Sequence, residues 1–131
     1  MTREEALRFA ERWVDAWNAR DLETVLGFFD EAARFTSPKA AALVGEATVA
    51  GTAALRDYWT RALARARTLR FTLDHVVWDG HRRQLVIVYA AAIDGQRTHA
   101  CELLRFGAGG RIVEGEAMYG VALPPETTAF A

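Results

Sequence analysis

One carboxyl group in an apolar stretch is the residue of this chain best suited to acid–base chemistry. Glu102 lies in a run of alternating residues that places Ala100 and Leu104 on the same face of a predicted strand. An apolar environment raises the pKa of a carboxyl group, and a pKa near neutrality suits a proton-transfer catalyst. In the alternative interpretation, Glu102 faces outward and pairs with an arginine, because a slip of one residue reverses every side chain of a strand.

Large aromatic side chains would form the walls of a pocket around this carboxyl. Buried indole N–H and phenol O–H groups need hydrogen-bond partners, and a ligand can supply them. The alternative is an ordinary hydrophobic core, where tryptophan and tyrosine at helical spacing are more often found. The residues predicted to line a ligand pocket are Trp13, Trp17, Tyr58, His75, Tyr89, Leu104, Ala117 and Tyr119.

Metal and cofactor chemistry finds little support in the sequence. His75 either forms the second half of an acid–base pair with Glu102 or is a histidine bonded to a carbonyl group. No two histidines have the spacing of helical metal ligands, and the single Cys101 cannot form a disulfide within the chain. Neither a phosphate-binding loop nor a dinucleotide fingerprint occurs. We therefore expect no metal and no other cofactor.

Charge and composition exclude several classes of partner. The 131 residues include 16 basic and 17 acidic side chains, which removes the basic excess that nucleic acids and anionic membranes attract. No apolar run approaches the roughly 20 residues that cross a bilayer. The charged N-terminus lacks a secretory signal, so we expect a cytoplasmic protein.

Helical periodicity dominates the first half of the chain. Thr2 and Glu5 form a capping box, and apolar residues then recur every three or four positions as far as Trp17. Asp21 caps a short second helix, and Thr52 is predicted to cap a third that ends near residue 66. Between them, residues 33–37 form a short strand, and residues 39–51 are predicted to be a long loop.

Four long strands follow, separated by glycine-containing turns. They cover about residues 70–78, 85–93, 97–106 and 111–121, and residues 122–131 are predicted to be a loose tail. The inward side chains of the last strand are predicted to be Val113, Gly115, Ala117 and Tyr119. The chain is thus one α+β domain over residues 1–131, with the order ααβαββββ. Its curved, cone-shaped antiparallel sheet has four long strands and one short one, covered by three N-terminal helices.

The second long strand is apolar on both faces. Ile87 and Tyr89 belong to one face, and Val86 and Val88 belong to the other. One face can pack against the helices, whereas the other is too apolar for open contact with water. This pattern predicts a homodimer that forms through the outer face of the sheet.

Several local segments resemble the nuclear-transport-factor-2-like superfamily. They are RWVDAWNARDLETVLGFF near the N-terminus, SP after the first strand, GTAALRDYWTRAL in the third helix and LLRFGAGGRIVEGEAMYG in the last hairpin. The resemblance covers roughly residues 8–120, and the most similar families are the SnoaL-like polyketide cyclases and ketosteroid isomerase. It implies a conical shell, a fold that is used by isomerases, cyclases, hydrolases, dehydratases and non-catalytic adaptors.

The resemblance to ketosteroid isomerase can be carried over residue by residue. Ser37 occupies the position of the catalytic base, and it cannot accept a proton at neutral pH without help. In ketosteroid isomerase the oxyanion hole consists of a tyrosine and a protonated aspartate. Trp13 occupies the position of that tyrosine, and Glu102 occupies the position of that aspartate. Because only Glu102 keeps its chemical type, we do not expect ketosteroid isomerase activity itself.

The sequence therefore favours a SnoaL-like protein with an apolar pocket for a small hydrophobic, cyclic or carbonyl-bearing molecule. As an enzyme it would be a cofactor-free isomerase, cyclase or dehydratase that uses Glu102, with Ser37 as the second candidate catalytic residue. Two alternatives stay open. One is a non-catalytic small-molecule binding protein, and the other is a dimerising association module with no ligand.

Overall fold

The computed structural model describes residues 1–125. Its helices are α1 (Arg3–Asn18), α2 (Leu22–Gly27), α3 (Pro38–Val44) and α4 (Thr52–Arg65). Its strands are β1 (Phe29–Thr36), β2 (Thr48–Ala50), β3 (Leu69–Asp79), β4 (Gln84–Ile93), β5 (Gln96–Phe106) and β6 (Ile112–Leu123). None of the helices in this part of the chain is both long and apolar enough to cross a membrane.

A single curved sheet of six strands carries the fold, in the order β2-β1-β6-β5-β4-β3. The α+β class and the succession of helices followed by a four-stranded meander are confirmed. The prediction that every strand pair is antiparallel is wrong for β1 and β6, which run parallel. Both strands start at the same end of the sheet, where the Ile112 N–H donates to the carbonyl oxygen of Phe28.

The segment predicted to be a long loop contains the two short elements α3 and β2. Pro38 occupies the first turn of α3, and the Ser37 hydroxyl accepts a hydrogen bond from the Lys39 N–H at 3.1 Å. Gly45 ends the helix in the left-handed region, at φ 84°. The loop prediction was wrong because these caps surround a run of small residues with little periodicity.

Helix starts follow the sequence signals closely. The Thr2–Glu5 capping box is formed, with hydrogen bonds of 2.7 and 3.1 Å, and Asp21 caps α2. At α4 the prediction is wrong by one position, because Gly51 is the capping residue, at φ 91°. Thr52 is the first residue of that helix.

A β-bulge in β3 reverses the predicted orientation of His75. Leu73 lies opposite the inward-facing Tyr89, whereas His75 lies opposite the outward-facing Val88. The extra residue between them shifts the pairing by one position. The His75 side chain is therefore 57% exposed on the outer surface, and the simple alternation predicted for this strand is wrong beyond Leu73.

The central part of the sheet has the predicted orientation. Ala100, Glu102 and Leu104 of β5 are all buried, as is Tyr89 of β4. At the start of β6 the prediction is wrong, because Ile112 is fully buried in place of Val113. A register shift between β5 and β6 next to their connecting turn causes this change.

The final strand continues beyond the end predicted from the sequence. Ala122 and Leu123, predicted to begin a loose tail, pair with Thr98 and Arg97 in β5. The Arg97 guanidinium also donates to the carbonyl oxygen of Pro124 at 2.6 Å. The rest of the predicted tail, residues 126–131, lies outside the described residues.

Candidate functional site

A cavity of about 310 Å³ lies between the inner face of the sheet and the helices α1, α3 and α4. Its wall is mainly aromatic and includes Trp13, Trp17, Tyr58, Trp59, Phe71 and Tyr119. The lining residues that are exposed to solvent mark its mouth, and they are Lys39, Ala42, Arg65 and Asp94. A largely aromatic lining with a few polar groups is typical of cavities that bind small molecules.

Glu102 is the buried acid of this cavity. Its side chain projects from β5 among aromatic rings and is 5% exposed. The Tyr89 hydroxyl donates a hydrogen bond to Glu102 Oε1 at 3.1 Å. Burial raises the pKa of Glu102 to about 8, against the opposing effects of the Tyr89 hydrogen bond and the Lys39 charge. Both protonation states are therefore populated near neutral pH, as acid–base catalysis requires.

Ser37 lies behind the cavity wall. It is fully buried, and its Oγ accepts hydrogen bonds from the Tyr58 hydroxyl at 3.3 Å and from the Lys39 N–H at 3.1 Å. Burial raises the pKa of Tyr58, so its phenol stays neutral. Ser37, predicted as a catalytic residue, does not line the cavity and instead orients Tyr58, because capping α3 takes up its hydroxyl.

The two tryptophans of α1 border the cavity from the helical side. Trp13 stacks on Phe71 with ring centroids 5.5 Å apart, and Trp17 packs edge-to-face on Trp59 at 5.6 Å. The Trp17 Nε1 atom is buried and has no hydrogen-bond partner among the described residues. Buried donors of this kind normally have an acceptor, and an oxygen atom of a bound molecule would satisfy this one.

Most of the residues predicted from the sequence come together at this cavity. Those that line it are Trp13, Trp17, Tyr58, Tyr89, Glu102 and Tyr119. His75 does not, since the bulge in β3 places it outside, where it pairs with Asp74 at 3.3 Å. In residues 1–125 no three His, Cys, Asp or Glu side chains lie close enough together to hold a metal ion.

Leu104 and Ala117 also lie outside the cavity wall, although both face inward. Leu104 is fully buried, and a Cβ atom added to Gly115 would lie 3.1 Å from it and 2.9 Å from Phe35. Ala117 is opposite Glu102 in the sheet and is 3% exposed. Neither residue lines the cavity, because strand alternation gives the face of a residue and not its distance from the cavity. Their contact with a ligand stays a prediction.

Comparison with known proteins adds the family. The model of the SnoaL-like domain matches residues 10–115, most of the chain. The chain belongs to the SnoaL-like family. Among curated proteins there is no match to this SnoaL-like chain.

Solved structures with the same fold have been determined from several bacteria. A SnoaL-like protein of unknown function from Burkholderia thailandensis is 29% identical, with a TM-score of 0.82 and coverage of 92% of this chain and 98% of that chain. A steroid delta-isomerase from Pseudomonas aeruginosa is 22% identical, with a TM-score of 0.66 and coverage of 85% and 76%. At that identity, the likeness to the isomerase shows the fold alone.

Lys39 is one of several residues of this SnoaL-like site that the sequence interpretation missed, and it is the one that lies on the Tyr119 ring. Its Nζ atom lies 4.6 Å from the centroid of the Tyr119 ring, at the mouth of the cavity. Partial burial of its side chain lowers the pKa of Lys39, and the charge of Glu102 opposes this effect. One signal was present, because Lys39 is the only lysine of the chain and follows Ser37 by two positions.

Proposed function

We propose that this SnoaL-like protein binds a small hydrophobic, cyclic carbonyl compound and catalyses a cofactor-free proton transfer on it. The observation that carries the proposal is Glu102, a buried carboxyl group with a pKa raised to about 8 in the wall of an open apolar cavity. A fold shared with a protein described as a steroid delta-isomerase supports the reaction class.

In the proposed mechanism, Glu102 acts first as a base and then as an acid. Its carboxylate removes a proton from the carbon next to the carbonyl group, and negative charge develops on the carbonyl oxygen. The Trp17 N–H, which has no partner among the described residues, is the donor for that oxygen in this mechanism. Protonated Glu102 then returns the proton to another carbon in an isomerisation, or to a leaving hydroxyl group in a dehydration.

Hydrogen–deuterium exchange at the α-carbon of 2-tetralone in D₂O, followed by NMR, tests this mechanism. We expect the wild-type protein to accelerate exchange, and Glu102→Gln to lower the accelerated rate at least about 100-fold. Because the carboxylate is the active form, the wild-type rate should rise with pH and level off above about 8. Exchange by Glu102→Gln at the wild-type rate would contradict the proposal.

Ala62→Trp provides a control for the location of the reaction. Ala62 is a half-buried residue of α4 that lines the cavity, so a tryptophan there occupies part of the space that a ligand needs. Exchange should be lost in this variant also. Undiminished exchange would place the reaction outside the cavity.

A non-catalytic binding protein is the second candidate function. The observation in its favour is that Ser37, at the position of the ketosteroid isomerase base, already accepts two hydrogen bonds. Binding of 2-tetralone, seen by saturation-transfer NMR, without accelerated exchange would favour it. An association module with no ligand is the least favoured, because the cavity is open.

We also propose that a second copy of the chain covers the outer face of the sheet. Val88, Cys101 and Met118 lie side by side across β4, β5 and β6, and Met118 is 42% exposed. A two-fold dimer places this apolar row against the same row of its partner.

Met118→Arg should convert the dimer to a monomer, because the two-fold axis brings the new charges into one apolar interface. Size-exclusion chromatography with light scattering measures the change in mass. Leu7→Arg is the matched control, since Leu7 is 41% exposed but lies on α1, away from this face. A wild-type protein that is monomeric at all concentrations would overturn the proposal.

A further inference from the structure

The mouth of the cavity carries positive charge that is not neutralised within the described part of the chain. Lys39 and Arg65 both line the opening, and neither forms a salt bridge with a described residue. The charge of Glu102 favours the protonated form of Lys39. Burial, however, keeps Glu102 largely protonated at neutral pH. Among the described residues, the ammonium group of Lys39 therefore has no permanent counter-ion.

The carboxylate of Asp94 is also at this mouth, but its role is structural. Asp94 Oδ1 accepts the backbone N–H groups of Arg67 and Thr68 at 2.8 and 2.9 Å. These bonds hold the turn between β4 and β5 against the end of α4. Asp94 therefore reduces the positive field at the opening without pairing with Lys39.

A second depression continues the cavity outward past Lys39. It shares Lys39, Ile93, Asp94 and Tyr119 with the cavity. Its other lining residues include Gln96 and Thr98, whose amide and hydroxyl groups are hydrogen-bond donors. The path from Glu102 to the surface thus changes from aromatic to polar at the ammonium group.

We propose that the ligand of this cavity is an amphipathic anion, whose apolar body lies among the aromatic rings and whose singly charged group, such as a carboxylate, lies beside Lys39. The inference rests on the proposed function, because it requires that the cavity takes a ligand, and it adds the charge of that ligand. A charge-assisted hydrogen bond to an ammonium group is stronger than a neutral one, and a partly desolvated site strengthens it further.

Two fluorescent probes with the same apolar body test the charge requirement. 8-Anilinonaphthalene-1-sulfonate carries one negative charge, and N-phenyl-1-naphthylamine is its neutral counterpart. Lys39→Met should weaken binding of the sulfonate about 10-fold and leave binding of the neutral probe unchanged. Lys39→Arg, which keeps the charge, should retain most of the affinity for the sulfonate.

Arg111→Met removes the same unit of charge at the opposite end of the sheet, in the exposed turn between β5 and β6, and should leave both affinities unchanged. Equal losses for the two probes in Lys39→Met would overturn the proposal, because Lys39 would then act through packing. Unchanged binding of the sulfonate would overturn it as well. Ala62→Trp separates the two proposals. If this variant binds the probes as well as the wild-type protein does, the cavity takes no ligand, and the proposed function fails together with the proposed charge of the ligand.

Discussion

The wild-type protein should lose stability as the pH rises from about 4.5 to 8, and Glu102→Gln should remove most of this loss. The raised pKa means that the folded protein keeps the Glu102 proton over a range in which the unfolded chain has released it. Folding is then linked to proton binding, and stability falls as the proton becomes scarcer. The stabilisation that Glu102 provides is complete at a pH below its pKa in the unfolded chain. It is lost once the pH reaches its pKa in the folded protein.

The size of this effect follows from the two pKa values. The interval between 4.5 and about 8 corresponds to about 5 kcal/mol of unfolding free energy. Solvent screening reduces this free-energy difference little, because Glu102 is only 5% exposed. A glutamine has the same shape, is neutral at every pH and keeps an oxygen that can accept the Tyr89 hydrogen bond.

Urea denaturation at several pH values between 4.5 and 9 measures the difference directly. The variant should gain stability relative to the wild-type protein as the pH rises, with the two curves diverging by several kcal/mol. Glu11→Gln is a suitable control, because it makes the same change at an exposed position of α1 and should follow the wild-type curve. Parallel curves for Glu102→Gln and the wild-type protein would mean that Glu102 is ionised in the fold.

Most elements of this fold, all except α3 and β2, could be predicted because their signals are local. The capping box at Thr2 and Glu5 and the helical spacing of Trp13 and Trp17 define α1 within a few residues of chain. The inward orientation of Glu102 also followed from a local pattern, since β5 alternates without interruption from Ala100 to Leu104. Such patterns identify faces of helices and strands without any knowledge of their neighbours.

The errors arise where a neighbouring strand decides the outcome. His75 faces outward because the pairing of β3 with β4 shifts between Leu73 and His75, and Ile112 is buried because of a similar shift beside β6. A bulge changes the face of every residue after it, and the single sequence carries no clear signal for its position. The depth at which a side chain lies in the fold also depends on distant parts of the chain. Leu104 and Tyr89 were therefore predicted alike, although only Tyr89 lines the cavity.

Lys39 shows a further limit of sequence interpretation. Its importance comes from its proximity to Tyr119, a residue 80 positions later in the chain, and from a helix that the sequence did not predict. The cavity therefore combines a buried acid that could be predicted from its own strand with a cation that only the tertiary structure reveals. In the proposed function Glu102 moves the proton, and in the further proposal Lys39 holds the charged group of the ligand.

Leu104→Ala should destabilise the protein by about 3.5 kcal/mol, the middle of the range for truncating a buried leucine. Leu104 is fully buried and closely packed near Gly115, so its removal leaves a new void that the surrounding sheet cannot fill. Leu63→Ala is the matched control, since Leu63 is half-buried on α4 and borders the existing cavity.

The same truncation should therefore have very different consequences at the two positions. At Leu63 it enlarges a cavity that is already open, and alanine favours the helix, so we expect a loss of about 1 kcal/mol or less. Urea denaturation gives both losses of stability. They follow from the midpoints, provided that the unfolding free energy depends on urea concentration with the same slope in all three proteins. Equal losses would mean that Leu104 belongs to the cavity wall. A much larger loss for Leu104→Ala would separate the packed half of the cone from the half that lines the cavity.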